Sequence, residues 1–373
     1  MICGIKGGLL FLNSSYANET VHKTENYRLS TKIISESLEY PWGLAFLPNG
    51  LALVTERPGR LNLISLDGSI KRVQGLPKIW VGGQGGLLDI AVDPNFSQNK
   101  TIYFTFSKPF QKGTHAGTAL ARATIENLTE PSLSNLDIIF SQNKPTISGY
   151  HFGSRIVIYP ENKIFITIGE RGERNRAQDR FDHAGSVVRI HKDGSIPKDN
   201  PFANGVKGLP EIWSIGHRNP QGAAWNIKTS SIWTVSHGPK GGDEINQPKS
   251  GKNYGWPITS YGRHYSGGKV GRGHSAPGME LPLYHWDPSI APSGATFYNG
   301  EAFPKWKDNL FIAALKSKLI VRMEIKDGKV TKEERLFKNS FGRIRDIQQG
   351  PKDYLYIITD DSKGRLIVIK PHH

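Results

Sequence analysis

Six segments of this chain repeat one plan: a small residue or turn, a short apolar strand, a turn built from Pro, Asn or Gly, then a second apolar strand. They read PWGLAFLPNGLALVTER, GGLLDIAVDPNFSQNKTIYFTFS, GSRIVIYPENKIFITIGERG, PQGAAWNIKTSSIWTVSHG, PSGATFYNGEAFPKWKDNLFIAAL and IRDIQQGPKDYLYIITDD. Period-2 alternation, enrichment in Val, Ile, Phe and Tyr, and turns such as Pro48-Asn49-Gly50 and Gly350-Pro351 mark each as a β-hairpin. The intervals run from about 45 to about 70 residues, at or beyond the upper end of blade-type repeats, so longer loops must lie between strands. Six such units without helical periodicity predict an all-β fold, a six-bladed β-propeller with four-stranded antiparallel blades, because radial repetition shields most strand edges. The competing architecture is a two-domain β-sandwich. Against it, the pattern continues to the last residues, where GRLIVIK is placed to pair near Lys32 to Ser35 and close a ring, and no composition break marks a linker.

At 373 residues the chain is long enough for two average domains or one large propeller. Its 41 Gly, 23 Pro and 10% aromatic residues suit many short strands and tight turns and argue against disorder. Lys and Arg number 48 against 33 Asp and Glu, a formal charge of +15 that attracts anions: nucleic acid, acidic polysaccharide, lipid or an acidic cofactor. No run of five basic residues occurs, so nucleic acid is not assigned as a partner. A single cysteine, Cys3, excludes an intramolecular disulfide framework and a Cys-based zinc site. It lies in MICGIKGGLLFLNSSYAN, where Lys6 precedes an apolar stretch from Gly7 to Leu12 and Ser15-Tyr16-Ala17 resembles an export cleavage site. Residues 1–27 are therefore assigned to a signal peptide and N-terminal extension, residues 28–373 to the propeller, and the protein to the periplasm or the secreted fraction. No other segment is apolar for 18 residues, so no membrane span is expected.

Loops on one face of a propeller converge on its channel, and the unusual residues fall in such turns. Gln84, between glycines in GGQGGLLDIAVDP, offers a donor and an acceptor where glycines let a ligand approach; a plain glycine-rich turn fits equally well. His151 precedes FGSR at a strand entrance, where an imidazole serves either as a base or as a satisfied surface or core residue. In EIWSIGHRNPQGAAW, Arg218 and Asn219 before Pro220 can aim a cation and an amide at one oxygen, or bridge blades through carbonyls. SHGPKGGDEINQPKSGKNYGWP places Gly238-Pro239, the pair Asp243-Glu244 and Asn253-Tyr254 in tight turns that expose carbonyls and carboxylates; the pattern fits calcium or a solvated acidic turn. Lys316, with Arg343 and Arg345 on one face of a strand, suits a carboxylate clamp.

Taken in order, GQGGLLDIAVDP, HFGSR, WSIGHRNPQG, HGPKGGDEIN, NYGWP and DPSIAPSG resemble the soluble PQQ-dependent aldose sugar dehydrogenases of the glucose/sorbosone dehydrogenase family. The likeness runs from YPWGLAFLPNG to RIRDIQQGPKDYLYIITDD, nearly the whole chain. It implies that His151 is the catalytic base and that Gln84 lies against the cofactor. It further implies that Arg218 and Asn219 meet the quinone oxygen at the reactive carbon, with Arg218 taking part in catalysis. Carbonyls of Gly238 and Pro239 would ligate the calcium that holds PQQ, and Glu244 and Tyr254 a further calcium. Tyr265 would contact the cofactor, and Lys316, Arg343 and Arg345 would receive its carboxylates. Ser154 and Lys240 stand where the family often has Gly and Arg, and FDHAGSVVRI departs from its commoner form, none of which removes a group named above. The long insertions of the best-known glucose-oxidising members are lacking.

The activity so implied is oxidation of the C1 hydroxyl of an aldose to an aldonolactone. The cofactors are PQQ and Ca2+, and the partners an aldose and an external electron acceptor, since no CxxCH haem motif occurs. The assembly is a monomer or homodimer. Two other function classes share this face: a non-catalytic propeller that binds carbohydrate or protein, and a calcium-dependent propeller lactonase.

Overall fold

The computed structural model describes residues 20–372; Cys3 and the signal-like stretch lie outside them. Each hairpin read from the sequence forms the two innermost strands of a blade. These are Pro41–Phe46 with Ala52–Glu56, Leu87–Val92 with Thr101–Phe110, Gly153–Tyr159 with Lys163–Ile168, Pro220–Asn226 with Ser231–Ser236, Pro292–Phe297 with Leu310–Ala314, and Ile344–Gln349 with Leu355–Thr359. They are blades one to six in chain order. Five blades are four-stranded antiparallel sheets. Every inner strand touches the next, and the sixth touches the first, which makes the ring. The faces between blades are the core. Between blades one and two, for example, Leu53, Leu61 and Leu63 bury against Leu87, Ile90 and Phe104, each such side chain contributing about 1.5–3 kcal/mol.

The sixth blade closes the ring with both ends of the chain. Gly364–Pro371 pairs with Arg28–Leu38, placing Lys32 opposite Val368 and Ser35 opposite Leu366, the pairing expected from the sequence. A fifth strand, Thr20–Lys23, then adds to Arg28–Leu38, so residues just ahead of the expected boundary at 28 belong to this sheet. The segment is pinned to blade five. Arg322, 1% exposed, reaches Glu25 (3.2 Å), Glu324 (3.0 Å) and Glu334 (2.7 Å), and Trp306 Nε1 donates to Asn26 Oδ1 at 3.2 Å.

All six inner strands carry a register break near their first residues, between Pro41 and Leu44, Leu87 and Ile90, Gly153 and Ile156, Pro220 and Gly222, Pro292 and Ala295, and Ile344 and Asp346. A bulge re-aims side chains, and here it serves charged groups at the channel. Arg155, 2% exposed, bonds through Nη1 to Asp89 (2.9 Å) and Asp346 (3.0 Å), through Nε to the Gln221 carbonyl (2.7 Å) and through Nη2 to the Arg345 carbonyl (3.2 Å). Asp346 also accepts Leu44 N (3.1 Å), and Asp89 accepts Ile156 N (2.8 Å). One guanidinium thereby ties blades one, two, three, four and six, with the Trp42 ring 4.3 Å from its centre. At Gly294 any side chain would collide with the Asp346 carboxylate, which explains a glycine in the inner strand of blade five. Burial pushes Asp89 up to about 6 against the pull of Arg155.

Removing the guanidinium would strand two buried carboxylates. Arg155→Met is therefore expected to lose about 3–5 kcal/mol in denaturant unfolding, and Arg155→Lys to recover only part, because an ammonium cannot span the same four acceptors.

Candidate active site

At one end of the channel, turns from several blades enclose a cavity whose walls include Gln84, Phe152, Asn219, His237, Arg343 and Arg345. His151 joins them through its main chain, its N donating to Gln84 Oε1 at 2.9 Å. The glycines around Gln84 serve packing rather than ligand approach. Gly83 lies against Gly149, and a side chain at Gly85 would strike the Phe152 ring.

His151 adopts a left-handed conformation (φ 52°), and its carbonyl lies so close to Gly169 that any Cβ there would overlap it. Its Nδ1 is 2.8 Å from Glu170 Oε2, and the Glu170 side chain is 2% exposed. A carboxylate only accepts, so Nδ1 carries the hydrogen and Nε2 keeps a lone pair with no partner in the protein. The other two histidines of these turns are locked. His217 Nε2 meets Ser214 Oγ at 2.9 Å, His237 Nε2 donates to the Pro292 carbonyl at 2.7 Å, and burial pulls both down to about 3.

Glu170 escaped the sequence reading, although a signal was present. Gly153 pairs with Ile168, and continuing that register outward sets 151 opposite 170.

Arg218 Nη1 donates to the carbonyls of His237 (3.2 Å) and Gly238 (2.7 Å), and its Nε is buried without a partner. The Gly238 carbonyl, expected as a calcium ligand, thus accepts from Arg218. Asn219 Oδ1 accepts Gly153 N and Gln221 Nε2, both at 3.2 Å, so Nδ2 is the donor left over. Burial pulls Arg218 down, and Glu170, Tyr265 and Asp243 oppose this; Tyr265 itself is 76% exposed.

Arg343 precedes the strand Ile344–Gln349 and a register break separates Ile344 from Asp346, so the two arginines are brought together by a shared carboxylate rather than by regular strand alternation. Arg343 Nη2 and Arg345 Nη2 each lie 2.9 Å from Asp360 Oδ2, so one carboxylate answers two guanidiniums. Arg345 Nε is buried without a partner. Arg57, not singled out from sequence, lines the same cavity. Lys316 is exposed beside Leu315, its N bound to the Ile290 carbonyl at 3.1 Å and its amino group unpaired.

A second cavity, also lined by Arg218, is walled by Gly216, Glu244, Asn246, Tyr254, Trp256 and Ser260. Glu244 finds only Asn246 Nδ2 there, at 3.1 Å, and burial pushes it up to about 7; Asn246 Oδ1 has no partner. The Tyr254 hydroxyl is taken up by the Gln247 carbonyl and Lys249 N, leaving its main-chain carbonyl for any cation. Pro239, buried, follows Gly238 in the turn that Asp243 winds. Asp243 Oδ1 accepts Gly238 N (2.9 Å), and Oδ2 accepts Ser289 Oγ (2.7 Å), Ile290 N (2.8 Å) and Ala291 N (2.9 Å). Among the described residues no three His, Cys, Asp or Glu side chains converge, so a cation here would draw on carbonyls, which calcium accepts.

Fold and site define a propeller enzyme with a carboxylate-oriented histidine and a cluster of arginines at one channel mouth. The chain belongs to the glucose/sorbosone dehydrogenase family, whose model matches residues 38–368, and is accordingly an oxidoreductase. It is 39% identical to aldose sugar dehydrogenase YliI of Escherichia coli (strain K12), over 92% of this chain and 94% of that one. The crystal structure of the soluble aldose sugar dehydrogenase from Escherichia coli in the apo-form superposes with a TM-score of 0.88 at 40% identity, covering 92% of this chain and all (100%) of that one. The PQQ-bound form of aldose sugar dehydrogenase from Streptomyces coelicolor superposes with a TM-score of 0.76 at 25% identity, covering 92% and 98%.

Asp243→Ala would leave buried donors at Gly238, Ile290 and Ala291 unanswered. It is expected to cost about 3 kcal/mol or more in denaturant unfolding, whereas Arg343→Ala, at an exposed ion pair, should change stability by less than about 1 kcal/mol.

Proposed function

We propose that this chain oxidises the C1 hydroxyl of an aldose to the aldonolactone with PQQ as acceptor, assisted by Ca2+. The observation that carries the reading is the His151–Glu170 pair, in which a buried carboxylate orients the imidazole ring. The names of the Escherichia coli and Streptomyces relatives support the substrate class and the cofactor. So does a 30% identity to quinoprotein glucose dehydrogenase B of Acinetobacter calcoaceticus over 91% of this chain and 86% of that one.

The donor set fits both groups. Arg343, Arg345 and Lys316 have too little acid around them, and Arg345 Nε is orphaned, an environment suited to a tricarboxylate. The Gly238 and Pro239 carbonyls are offered to one calcium. Glu244, the orphaned Asn246 oxygen and the Tyr254 carbonyl are offered to a second. When bound, PQQ supplies an electrophilic quinone that takes up hydride, and calcium supplies Lewis-acid polarisation.

In this reading His151 Nε2 accepts the proton of the sugar C1 hydroxyl as hydride leaves C1, and the C1–O bond becomes a carbonyl. Glu170 fixes the ring by holding Nδ1–H and stabilises the imidazolium that forms. Arg218 and the free Nδ2 of Asn219 offer donors where negative charge develops. Gln84 steadies the His151 backbone, and the exposed Tyr265 stands at the mouth as a cofactor contact. Two electrons then leave to an external acceptor. We further propose that the protein acts in the periplasm or outside the cell, which N-terminal sequencing of the exported material would test.

Purified protein given PQQ and calcium should reduce a dye with one or more of a panel of aldoses; none oxidised despite bound PQQ would favour a binding propeller and sink the proposal. His151→Ala should lower kcat by about 10²–10⁴-fold while PQQ still binds; an unchanged rate removes His151 from the chemistry. In equilibrium titration of the apoprotein, Arg343→Ala should weaken PQQ binding about tenfold.

A further inference from the structure

Arg171 follows Glu170, is completely buried (0% exposed) and, among the described residues, makes no direct ion pair, although Glu170 and Glu173 act on it electrostatically. Its Nη1 donates to the Tyr150 carbonyl and its Nη2 to the Ser148 carbonyl at 2.5 Å. Its guanidinium centre lies 3.4 Å from the centroid of the Phe152 ring. Its main-chain N donates to the His151 carbonyl at 3.3 Å. Both Arg171 (φ 63°) and His151 (φ 52°) adopt the left-handed conformation that non-glycine residues seldom take. Its Nε is buried without a partner.

A desolvated guanidinium without a carboxylate is costly, and strained backbone persists where its surroundings over-determine it. Both side-chain hydrogen bonds and the ring contact of Arg171 fall on residues 148, 150 and 152, the residues that flank the histidine. Burial pulls Arg171 down to about 9, which still leaves it charged at neutral pH. From this geometry we propose that Arg171 is a positioning residue for the His151 base: its planar fork clamps the 148–152 loop from beneath and holds the imidazole in register with Glu170. The inference rests on the reading of His151 as the base. Lysine cannot replace the fork, since one ammonium cannot reach two carbonyls and lie flat on a ring together.

The test uses Arg171→Lys and Arg171→Met in the full chain. In the apoprotein, 15N NMR of the imidazoles should show one His151 tautomer, hydrogen on Nδ1, for the parent and a mixture for both variants. In the PQQ- and calcium-loaded enzyme, kcat per folded molecule should fall about tenfold for Lys and on the order of 10²-fold for Met, with sugar KM and PQQ affinity within about threefold. Should Arg171→Met fail to fold, Arg171→Lys alone carries the test. A folded variant with a single Nδ1–H tautomer and the parental kcat overturns the proposal, as does a loss of rate that only tracks the folded fraction. Failure of the base assignment is read separately, from His151→Ala at the parental rate, and leaves the tautomer measurement standing.

Discussion

The ring depends on the buried contact of Arg155 with Asp89 and Asp346. Hydrophobic faces join each blade to its neighbours, but apolar packing between similar blades sets neither their number nor their tilt. A guanidinium that bonds to blades two, four and six from blade three, with blade one joined through Leu44 and Asp346, ties five of the six blades at one point. Four acceptors answer one cation, which offsets the desolvation of three charges. The bulges at the start of every inner strand allow these side chains to turn into the channel. His151 stands four residues before Arg155, so the segment that anchors the ring also delivers the histidine, and little slack separates the rigid hub from the chemistry.

Above the hub the electrostatics change sign of purpose. At the hub, cation and acids are matched. At the channel mouth Arg343 and Arg345 share Asp360, and Arg57 lines the same cavity without an acid of its own. The formal +15 of the chain is spread widely; what selects an anion at this mouth is the local shortage of carboxylates.

Much of the architecture was legible because its signals are local. Hairpins announce themselves by alternation and turn residues, and the closing strand was visible since the pattern continues through GRLIVIK to the last residues. Motifs singled out Gln84, Asn219, Arg343 and Arg345, which the fold brings to one cavity, with His151 joined to Gln84 and Arg218 lining the neighbouring cavity. The rest depends on register and three-dimensional approach. Glu170 reaches His151 only across a bulged hairpin, and Arg57 reaches Asp360's neighbourhood from a different blade. The glycines beside Gln84 are explained by a loop some 65 residues away in sequence, Gly149 facing Gly83. The Tyr254 phenol is spent on its own turn, a detail of local folding that spacing cannot encode.

Closure of the ring by both ends of the chain has a consequence for how the molecule matures. Arg28–Leu38 waits for Gly364–Pro371, a separation of more than 300 residues, and contacts so distant in sequence form late and slowly. Arg343 and Arg345 belong to that same last blade. A chain stopped before residue 364 would therefore carry both arginines on a blade that its N-terminal strand cannot join, because Arg28–Leu38 reaches that sheet only through Gly364–Pro371.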